Sequence, residues 1–476
     1  MTILGSPFDF SQMDGNAHLV DYLSMKSTIT VLSRRAQLQP IHHDALELFR
    51  SILFADRWAS RPPRTTTART ISVVMPVRQM DRWTDPEVSN VLHRLLNFAT
   101  QDDWNVRFVQ RTAPEPQIPQ RPMLTHDVAD PNAFRVGLFS GGLDSVAGAA
   151  LQAHSTAERR LLVSGTGSRW RRVQDDLFTA MNQMFPDVTG RRFHGATFDM
   201  TPGKGVTDRL KDRLPCGQEV YSQRSRGLMF LTMGAVTATT LGVPVVEVYE
   251  NGVGAINLPF NNSSIGADHS RAMHPLHLAL VQRLYRLLFH PEFRVVNPYA
   301  FTTKGVMIRD LAHADLGHLA AQAITCEHYG TQAHGTKLRD MDAAPHEAGS
   351  FAHCGICTSC LLRRASTLYG GVDDALYREN PPVGVLGREA KNARWYALMK
   401  LQVDHLAAAL HDQPERNVRS LMQAFPDLLL AVEGLRELHP ELSSVVIGRR
   451  LAQMYAQYVL EFNLYTRTLP IPTAYA

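Results

Sequence analysis

The spacing of apolar and polar residues changes along the chain, and these changes divide it into four segments. Apolar runs mixed with helical spacing come first, and a proline-rich stretch with almost no periodicity follows. The third segment alternates regularly between apolar runs and helical spacing, and the last has helical spacing alone. The pattern predicts an N-terminal α+β module (residues 1–112), a linker (113–132), an α/β domain (133–370) and a C-terminal helical region (371–476).

Short apolar runs in the α/β domain are typical of strands, and segments with helical spacing separate them. Such alternation predicts a parallel sheet with helices on both faces, in which ligands bind at the carboxyl ends of the strands. The predicted strands are Phe134–Phe139, Arg160–Ser164, Arg192–Phe198, Val243–Tyr249 and Phe293–Val296. The predicted helices are Val173–Met184, Gly227–Leu241 and His274–Leu288.

The two outer segments carry apolar patterns but no recognisable chemical motif. We interpret the apolar stripes of the N-terminal segment as parts of a hydrophobic core. The alternative is that they form a surface to which a partner docks. The C-terminal helices are expected to pack against the core domain or a second subunit. Pro76 marks either the end of a strand or an edge position. The predicted strands of these segments are Thr28–Leu32, Ile71–Met75 and Trp104–Val109. The predicted helices are Asp44–Phe54, Asp85–Phe98, Ala393–Leu410 and Ser444–Tyr465.

A glycine loop follows the first strand of the α/β domain, and a run of small residues then opens a helix. Adjacent glycines let the backbone turn with positive φ and approach a ligand closely. The N–H groups of the loop and of the first helical turn point at one spot, which favours an anion. Serine hydroxyls add donors and Asp144 can hold a cation, although an ordinary strand-to-helix turn is the alternative. The loop reads Ser140-Gly141-Gly142-Leu143-Asp144-Ser145.

Most of the cysteines form a pattern typical of a metal site. The candidate ligands are Cys326, Cys354, Cys357 and Cys360, the last three in a C-x2-C-x2-C run. Four thiolates suit a closed tetrahedral zinc site. An iron–sulfur cluster and unligated thiols are alternatives, and His328 or His353 could replace one ligand. Cys216 stands outside the set.

Charge and composition exclude several classes of protein. A formal charge of +4 over 476 residues is too small to indicate a nucleic acid as a binding partner. The arginine clusters at 169–172 and 363–364 are interpreted as local anion contacts or solvated faces. No apolar run reaches the roughly 18 residues of a membrane span, and the N-terminus lacks a secretory pattern. The sequence therefore predicts a cytoplasmic protein with no membrane contact and no direct nucleic-acid contact.

The glycine loop resembles the PP-loop of the N-type ATP pyrophosphatases, which cleave ATP between the α- and β-phosphates and adenylate a substrate oxygen. No lysine follows Gly141-Gly142, so the loop is not a Walker A loop. The resemblance implies that ATP and Mg²⁺ are used and that pyrophosphate is released. ATP would contact residues 140–145, together with Ser164 at the end of the second strand.

A PP-loop near the start of an α/β domain, followed by a lone cysteine and C-x2-C-x2-C-Leu-Leu-Arg, resembles the 7-cyano-7-deazaguanine synthase (QueC) family. The resemblance covers about residues 134–370. Ser225–Leu231 is similar to the helix opening Gly-Arg-Asn-Leu-Leu-Phe-Leu of the family. Thr303–Met307 is similar to its Thr-Lys-x-Glu segment, and Thr325-Cys326 to its Ser/Thr-Cys segment.

Other positions depart from this family. Val306 replaces a glutamate and Gly227 an asparagine, while Ser164–Trp170 and Glu250–Asn257 differ from the Tyr-Gly-Gln-Arg-His and Asp-Tyr-Ser-Gly-Tyr-like segments. These departures and the added terminal segments make the chain more similar to QueC-like proteins of bacterial anti-phage systems, such as QatC of Qat systems and the homologue in type IV CBASS.

The resemblance implies ATP-dependent adenylation of a 7-carboxy-7-deazaguanine-like acid and its transfer to an amine. In a defence homologue this amine would be the N-terminus of a partner protein from the same operon. Lys304 and Arg226 would stabilise the transition state beside Asp144, and zinc would be structural. The implied substrate contacts are Arg226, Glu250, Asn251 and Gly252.

Three other functions stay open. Ammonia as the acceptor would give the free nitrile for queuosine-type biosynthesis. A tRNA-thiolating enzyme of the same loop type would need a catalytic cysteine pair, for which Cys216 alone is weak support. The third is a non-catalytic scaffold of a defence complex that retained nucleotide binding, although the intact loop from Ser140 to Ser145 argues against such decay.

Overall fold

The computed structural model is an α/β protein in which every paired strand of the described residues runs parallel to its neighbour. The described residues are 8–9, 29–31, 38–58, 68–111, 120–122, 134–166, 168–186, 192–199, 224–260, 270–326, 353–374, 377, 379–381, 390–410 and 414–469. No helix in these ranges is long and apolar enough to cross a membrane.

The N-terminal segment has the helices and strands that its apolar spacing predicts, together with short elements at 8–9, 80–83 and 120–122 that were not predicted, the last within the predicted linker. Its elements are β1 (Phe8–Asp9), β2 (Ile29–Val31), α1 (Pro40–Trp58), β3 (Thr70–Val77), α2 (Met80–Trp83), α3 (Pro86–Thr100), β4 (Asp103–Gln110) and β5 (Gln120–Pro122). One sheet has the order β1-β3-β4, and β2 pairs with β5. Asp85 caps α3, as its position before Pro86 predicts, because its carboxylate accepts the N–H of Glu87.

Pro76 lies inside β3, one residue before its end, where it pairs with Val109 of β4. The described part of β1 pairs only with Ile71 and Ser72, so Pro76 needs no N–H donor toward β1. Pro76 therefore lies near the end of a strand, which was one of the two predicted positions, but β3 is the middle strand of its sheet and not an edge strand. Of the predicted linker 113–132, the structure describes β5 alone.

The α/β domain also confirms the predicted alternation of strands and helices. Its elements are β6 (Phe134–Leu138), α4 (Leu143–Ser155), β7 (Arg159–Thr166), α5 (Ser168–Met184), β8 (Phe193–Asp199), α6 (Arg226–Thr240), β9 (Val245–Glu247), α7 (Gly252–Ile256), α8 (Pro275–Leu288), β10 (Arg294–Val296), α9 (Lys304–His313), α10 (His318–Gln322) and α11 (Thr358–Gly370). β9 is shorter than predicted, although the Val248 N–H still donates to Val296 at 2.9 Å.

The five-stranded sheet has the order β10-β9-β6-β7-β8. The chain therefore builds outward from β6 in one direction through β7 and β8, and then in the other direction through β9 and β10. The strand order reverses between β6 and β9, and the crevice outside the carboxyl ends of two such strands is where doubly wound sheets bind ligands.

Helices cover both faces of this sheet. On one face Val136 and Val246 pack into a core with residues of α6 and α8. On the other face Leu162 packs with Val146 of α4 and Met307 of α9. Burial on both faces explains the nearly continuous apolar runs of the strands.

The N-terminal segment shares the first of these cores. Phe49 of α1 packs edge-to-face on Tyr285 of α8, with ring centroids 6.3 Å apart. Asp56 accepts hydrogen bonds from the backbone and side chain of Ser225, at 3.1 and 2.9 Å, where α6 begins. The predicted boundary at residue 112 stays a prediction, but the two segments are packed together without a break in the apolar core.

The C-terminal region consists of helices that pack against the α/β domain. This was one of the two predicted arrangements, the other being packing against a second subunit. They are α12 (Ala390–Ala409), α13 (Pro414–Ala424), α14 (Leu428–Leu438) and α15 (Ser444–Thr468). Their core includes Leu361 of α11, Ile256 of α7 and Ala300, which follows β10. The helical region thus lies against segments that follow the strand ends.

Candidate functional site

The glycine loop between β6 and α4 has the geometry of an anion site. Gly141 has a φ of +81°, and Gly142 begins the helix without a hydrogen-bonding cap from a described side chain. The first N–H groups of α4 therefore lack intrahelical acceptors, and the positive end of the helix dipole lies at the loop. A phosphate group can bind in such a place.

Hydrogen bonds within the loop fix its two serines. The Ser140 hydroxyl accepts the N–H of Gly142 at 3.1 Å and lies 3.2 Å from the Ser145 hydroxyl. The Ser145 hydroxyl donates to the Gly142 carbonyl at 2.9 Å. Ser140 is exposed, so its remaining hydrogen-bonding capacity is available to a ligand.

Two residues from outside the loop hold its backbone. The side-chain amide of Gln174 on α5 donates to the Ser140 carbonyl at 3.2 Å. The N–H of Ile324 donates to the Gly141 carbonyl at 3.1 Å. With both carbonyls occupied, the opposite face of the loop is left to present N–H groups. Neither residue was predicted from the sequence, because Gln174 is one polar position in a predicted helix, and Ile324 acts through its backbone, which leaves no side-chain signal.

Asp144 forms the centre of a buried polar cluster beside the loop. Lys304 Nζ lies 2.7 Å from Asp144 Oδ2, and Asn251 Nδ2 donates to Asp144 Oδ1 at 3.0 Å. Asp144 is 9% exposed and Lys304 is 5% exposed. A buried ion pair is stable only where further hydrogen bonds satisfy its atoms, and Asn251 supplies one of them.

The topology of the sheet brings these residues together. Asp144 follows β6, Asn251 follows β9 and Lys304 follows β10, so all three lie beyond the carboxyl ends of neighbouring parallel strands. Each also stands at a helix start. Thr303 caps α9 directly before Lys304, and the side chain of Asn251 accepts the Gly254 N–H at 2.9 Å to cap α7.

Glu250 adds a second carboxylate to this cluster. Asn251 Nδ2 lies 3.4 Å from Glu250 Oε1, so one amide faces the carboxylates of both Glu250 and Asp144. Burial and then the charge of Asp144 raise the pKa of Glu250 to about 8, although the charge of Lys304 acts in the opposite direction. Near neutral pH this side chain can therefore hold a proton and release it.

Two of the implied substrate contacts have structural partners instead. Asn251 is fully buried, and its amide is committed to Asp144 and Gly254. Gly252 lies against the Ala300 carbonyl and Met454 Sδ, where a Cβ would not fit. The structure thus gives both residues a place in the framework of the site, while Glu250 is partly exposed.

Ser164 and Arg226, two further predicted site residues, have described contacts with Phe139 and Phe230. Ser164 is buried, and its hydroxyl donates to the Phe139 carbonyl at 2.9 Å, which fixes the backbone where it enters the loop. The Arg226 guanidinium lies 5.3 Å from the centre of the Phe230 ring. The structure brings Lys304 to Asp144, the predicted cation position, and the role of Arg226 stays a prediction.

The structure brings the four predicted metal ligands together. The sulfur atoms of Cys326, Cys354, Cys357 and Cys360 lie within 4.8 Å of one another, and all four residues are buried. Gly355 has a φ of +88°, which produces the tight turn between the first two cysteines of the C-x2-C-x2-C run. The N–H of Cys354 points to Cys326 Sγ at 3.3 Å. Such a cluster could bind a metal such as zinc.

His353 has partners other than this cluster, while His328 and Cys216 lie outside the described residues. His353 Nε2 accepts the Thr325 N–H at 3.2 Å and lies 3.2 Å from an Arg363 nitrogen. The cysteine cluster is linked to the glycine loop, because Ile324, whose N–H donates to the Gly141 carbonyl, lies two residues before Cys326. A metal at the cysteines would therefore fix one of the contacts that hold the loop.

Replacing Glu250 with glutamine is expected to remove a loss of stability at alkaline pH. The folded chain keeps a proton on Glu250 up to about pH 8, which the unfolded chain releases near the usual pKa of 4.5. The folded state then binds more protons between these values, so the free energy of unfolding falls as pH rises. Thermal unfolding of the ligand-free proteins should show the wild type less stable than Glu250→Gln above pH 8, with a smaller difference in acid. Identical pH dependence would refute the burial of this charge, and Glu433→Gln, at an exposed position, is the control.

Comparison with known proteins adds no family to this description. No protein-family model matches the chain, and no curated protein matches it significantly in sequence. The function of the chain is therefore inferred from the motifs of the sequence and from the geometry of the loop and its neighbours.

Proposed function

We propose that this chain is an ATP-dependent enzyme of the QueC-like PP-loop type, which adenylates a 7-carboxy-7-deazaguanine-like acid. The observation that carries the proposal is the pairing of Asp144 with Lys304 beside an uncapped helix N-terminus, between the two strands where the sheet order reverses. This arrangement combines N–H donors, an ammonium group and a carboxylate at one place, as a phosphate site with a bound cation requires.

Two features of the loop support the proposal that the phosphates of ATP bind there. The N–H groups at the start of α4 can bind phosphate oxygens, and the exposed hydroxyl of Ser140 adds a donor. Asp144 is the described carboxylate that would hold Mg²⁺ beside the loop, and Glu250 would join it where a bound cation displaces its proton. When bound, Mg²⁺ would neutralise part of the negative charge of the phosphates.

The chemistry that we propose has two steps. An oxygen of the substrate carboxylate attacks the α-phosphorus, and the bond from that phosphorus to the bridging oxygen of the β-phosphate breaks, so pyrophosphate leaves. An amine nitrogen then attacks the acyl carbon, the bond to AMP breaks, and an amide forms. The amine loses one proton, and ionised Glu250 is the nearby group that can accept it.

We further propose the N-terminal amine of a partner protein as the acceptor, as in the anti-phage relatives that the motifs resemble. The N-terminal segment and the helical region are built onto the α/β domain and enlarge the surface around it. A protein substrate needs such surface, whereas ammonia does not. Release of a free nitrile is the outcome that would favour the biosynthetic alternative.

Adenylation is tested by incubating the protein with ATP, Mg²⁺, 7-carboxy-7-deazaguanine and an ammonium salt as the source of amine. We expect AMP and pyrophosphate in equal amounts, measured by chromatography and by coupled pyrophosphate detection, and neither without the acid. Intact-mass analysis of a co-encoded protein, added to the same mixture, separates conjugation from nitrile release. Absence of AMP with and without that protein would refute adenylation and leave the scaffold alternative.

A further inference from the structure

Helix α15 of the C-terminal region reaches the residues on both sides of Lys304. Glu461 is 1% exposed, and its carboxylate accepts a short hydrogen bond from the Thr303 hydroxyl and one from the Gly305 N–H at 3.3 Å. Gln457, one turn earlier on α15, donates to the same carboxylate at 2.9 Å. The carboxylate is thus fixed in its own helix while it binds the start of another.

Gly305 makes this close approach possible. A Cβ at position 305 would lie 2.5 and 2.7 Å from the two carboxylate oxygens of Glu461, which is closer than real Cβ atoms come. Glycine is otherwise unfavourable within a helix. A carboxylate at a helix N-terminus is favourable, because it accepts an unpaired N–H and faces the positive end of the dipole.

Helix α15 also packs against the segment that follows β9 and contains Gly252. Met454 of α15 and the Ala300 carbonyl occupy the space beside Gly252, where a side chain would not fit. The Gly252 N–H donates to the Thr302 carbonyl at 2.8 Å, which joins the segment after β9 to the segment after β10. One C-terminal helix therefore supports both segments that bring partners to Asp144.

We infer that Glu461 is a positioning residue, which fixes the N-terminus of α9 and so holds Lys304 against Asp144. The C-terminal helical region, which has no chemical motif, is then an integral part of the candidate site. The catalytic consequence rests on the proposed function, whereas the placement of Lys304 does not. A misplacement of about 1 Å at a reacting group can reduce a rate by about 100-fold, so a small shift of Lys304 would be measurable.

The test compares Glu461→Leu, which removes both acceptors while filling the space, with Glu461→Gln, which retains one acceptor oxygen. Glu433→Gln on neighbouring α14 is the matched control, since its carboxylate is half exposed and pairs with Arg94. Acetylation of Lys304 by acetic anhydride, followed by peptide mass spectrometry, reports the placement of the lysine without any need for activity. Steady-state formation of AMP reports the catalytic effect, and circular dichroism with thermal unfolding reports the fold.

We expect Lys304 to be acetylated faster in Glu461→Leu than in the wild type or the control, with Glu461→Gln between them. The kcat for AMP formation should fall by about 10-fold or more in Glu461→Leu, with a smaller change in the KM for ATP, and glutamine should recover part of it. Unchanged labelling in a folded Glu461→Leu protein would overturn the inference, even if the wild type forms no AMP. If the wild type forms no AMP but Lys304 is still acetylated faster in Glu461→Leu, the proposed function is refuted and the positioning role of Glu461 stands.

Discussion

Replacing Asp144 with asparagine is expected to lower the rate of AMP formation by about 100- to 1000-fold, the cost typical of losing one preorganised electrostatic group. The substitution removes the charge that pairs with Lys304 at 2.7 Å and that would hold Mg²⁺, but it keeps the acceptor for Asn251. Lys304 would then have Glu250 as its remaining nearby counter-charge, and this carboxyl is protonated near neutral pH because its pKa is raised to about 8. Rates of AMP release with saturating ATP and acid measure the effect.

The matched control for this prediction is Asp310→Asn on α9. Asp310 pairs with Arg309 at 2.7 Å, but its side chain is 45% exposed, so its charge is screened by water. We expect the control to retain wild-type AMP formation and both proteins to remain folded by circular dichroism. Near-normal activity of folded Asp144→Asn would contradict both its role at the nucleotide and the identification of the site.

The architecture of the α/β domain was predictable because its strands are covered on both faces. Burial makes β6 apolar apart from Arg135 and gives β7 the apolar centre Leu161–Val163, and helical spacing then marks the segments between the strands. The glycine loop was predictable for a related reason, since positive φ at Gly141 restricts the residue type and leaves a mark in the sequence. The cysteine set was predictable from ligand number and spacing.

The order of the strands was not predictable from periodicity. A strand pattern does not tell which neighbour it pairs with, and the reversal between β6 and β9 is what brings Asn251 to Asp144. The resemblance pointed to Lys304 as a cation of the site, and the structure gives it Asp144 as a partner at 2.7 Å. The same resemblance suggested Asn251 as a substrate contact, but full burial and capping of α7 use its polar atoms.

Glu461 shows why the framework of the site could not be predicted. It is one charged residue among the polar positions of a long helix, and no spacing rule distinguishes a buried glutamate from a solvated one. Its partners are Thr303 and Gly305, more than 150 positions earlier in the chain. Only the packing of α15 on the strand ends, through residues such as Met454, makes the contact possible.

Replacing Cys357 with serine is expected to abolish stoichiometric metal binding, which would otherwise be about one zinc ion per chain. Four buried sulfur atoms within 4.8 Å of one another form a closed set, and serine supplies a hard, neutral oxygen in place of a thiolate. Because metal binding at such sites stabilises the local fold, the segment around Cys354 and Cys326 should lose order. Elemental analysis of purified protein measures zinc and iron together, and acid-labile sulfide identifies a cluster of the iron–sulfur kind.

The same variant should also bind ATP more weakly, since Ile324, which donates to the Gly141 carbonyl at 3.1 Å, lies two residues before Cys326. Cys216→Ser is the control, because it is the one cysteine outside the set and should change neither the zinc content nor the affinity for ATP. Unchanged zinc in Cys357→Ser would reject this ligand. Loss of zinc with an unchanged dissociation constant for ATP would instead show that Gln174 and the serines hold the loop without help from the metal, and that the cysteine cluster stabilises only its own segment.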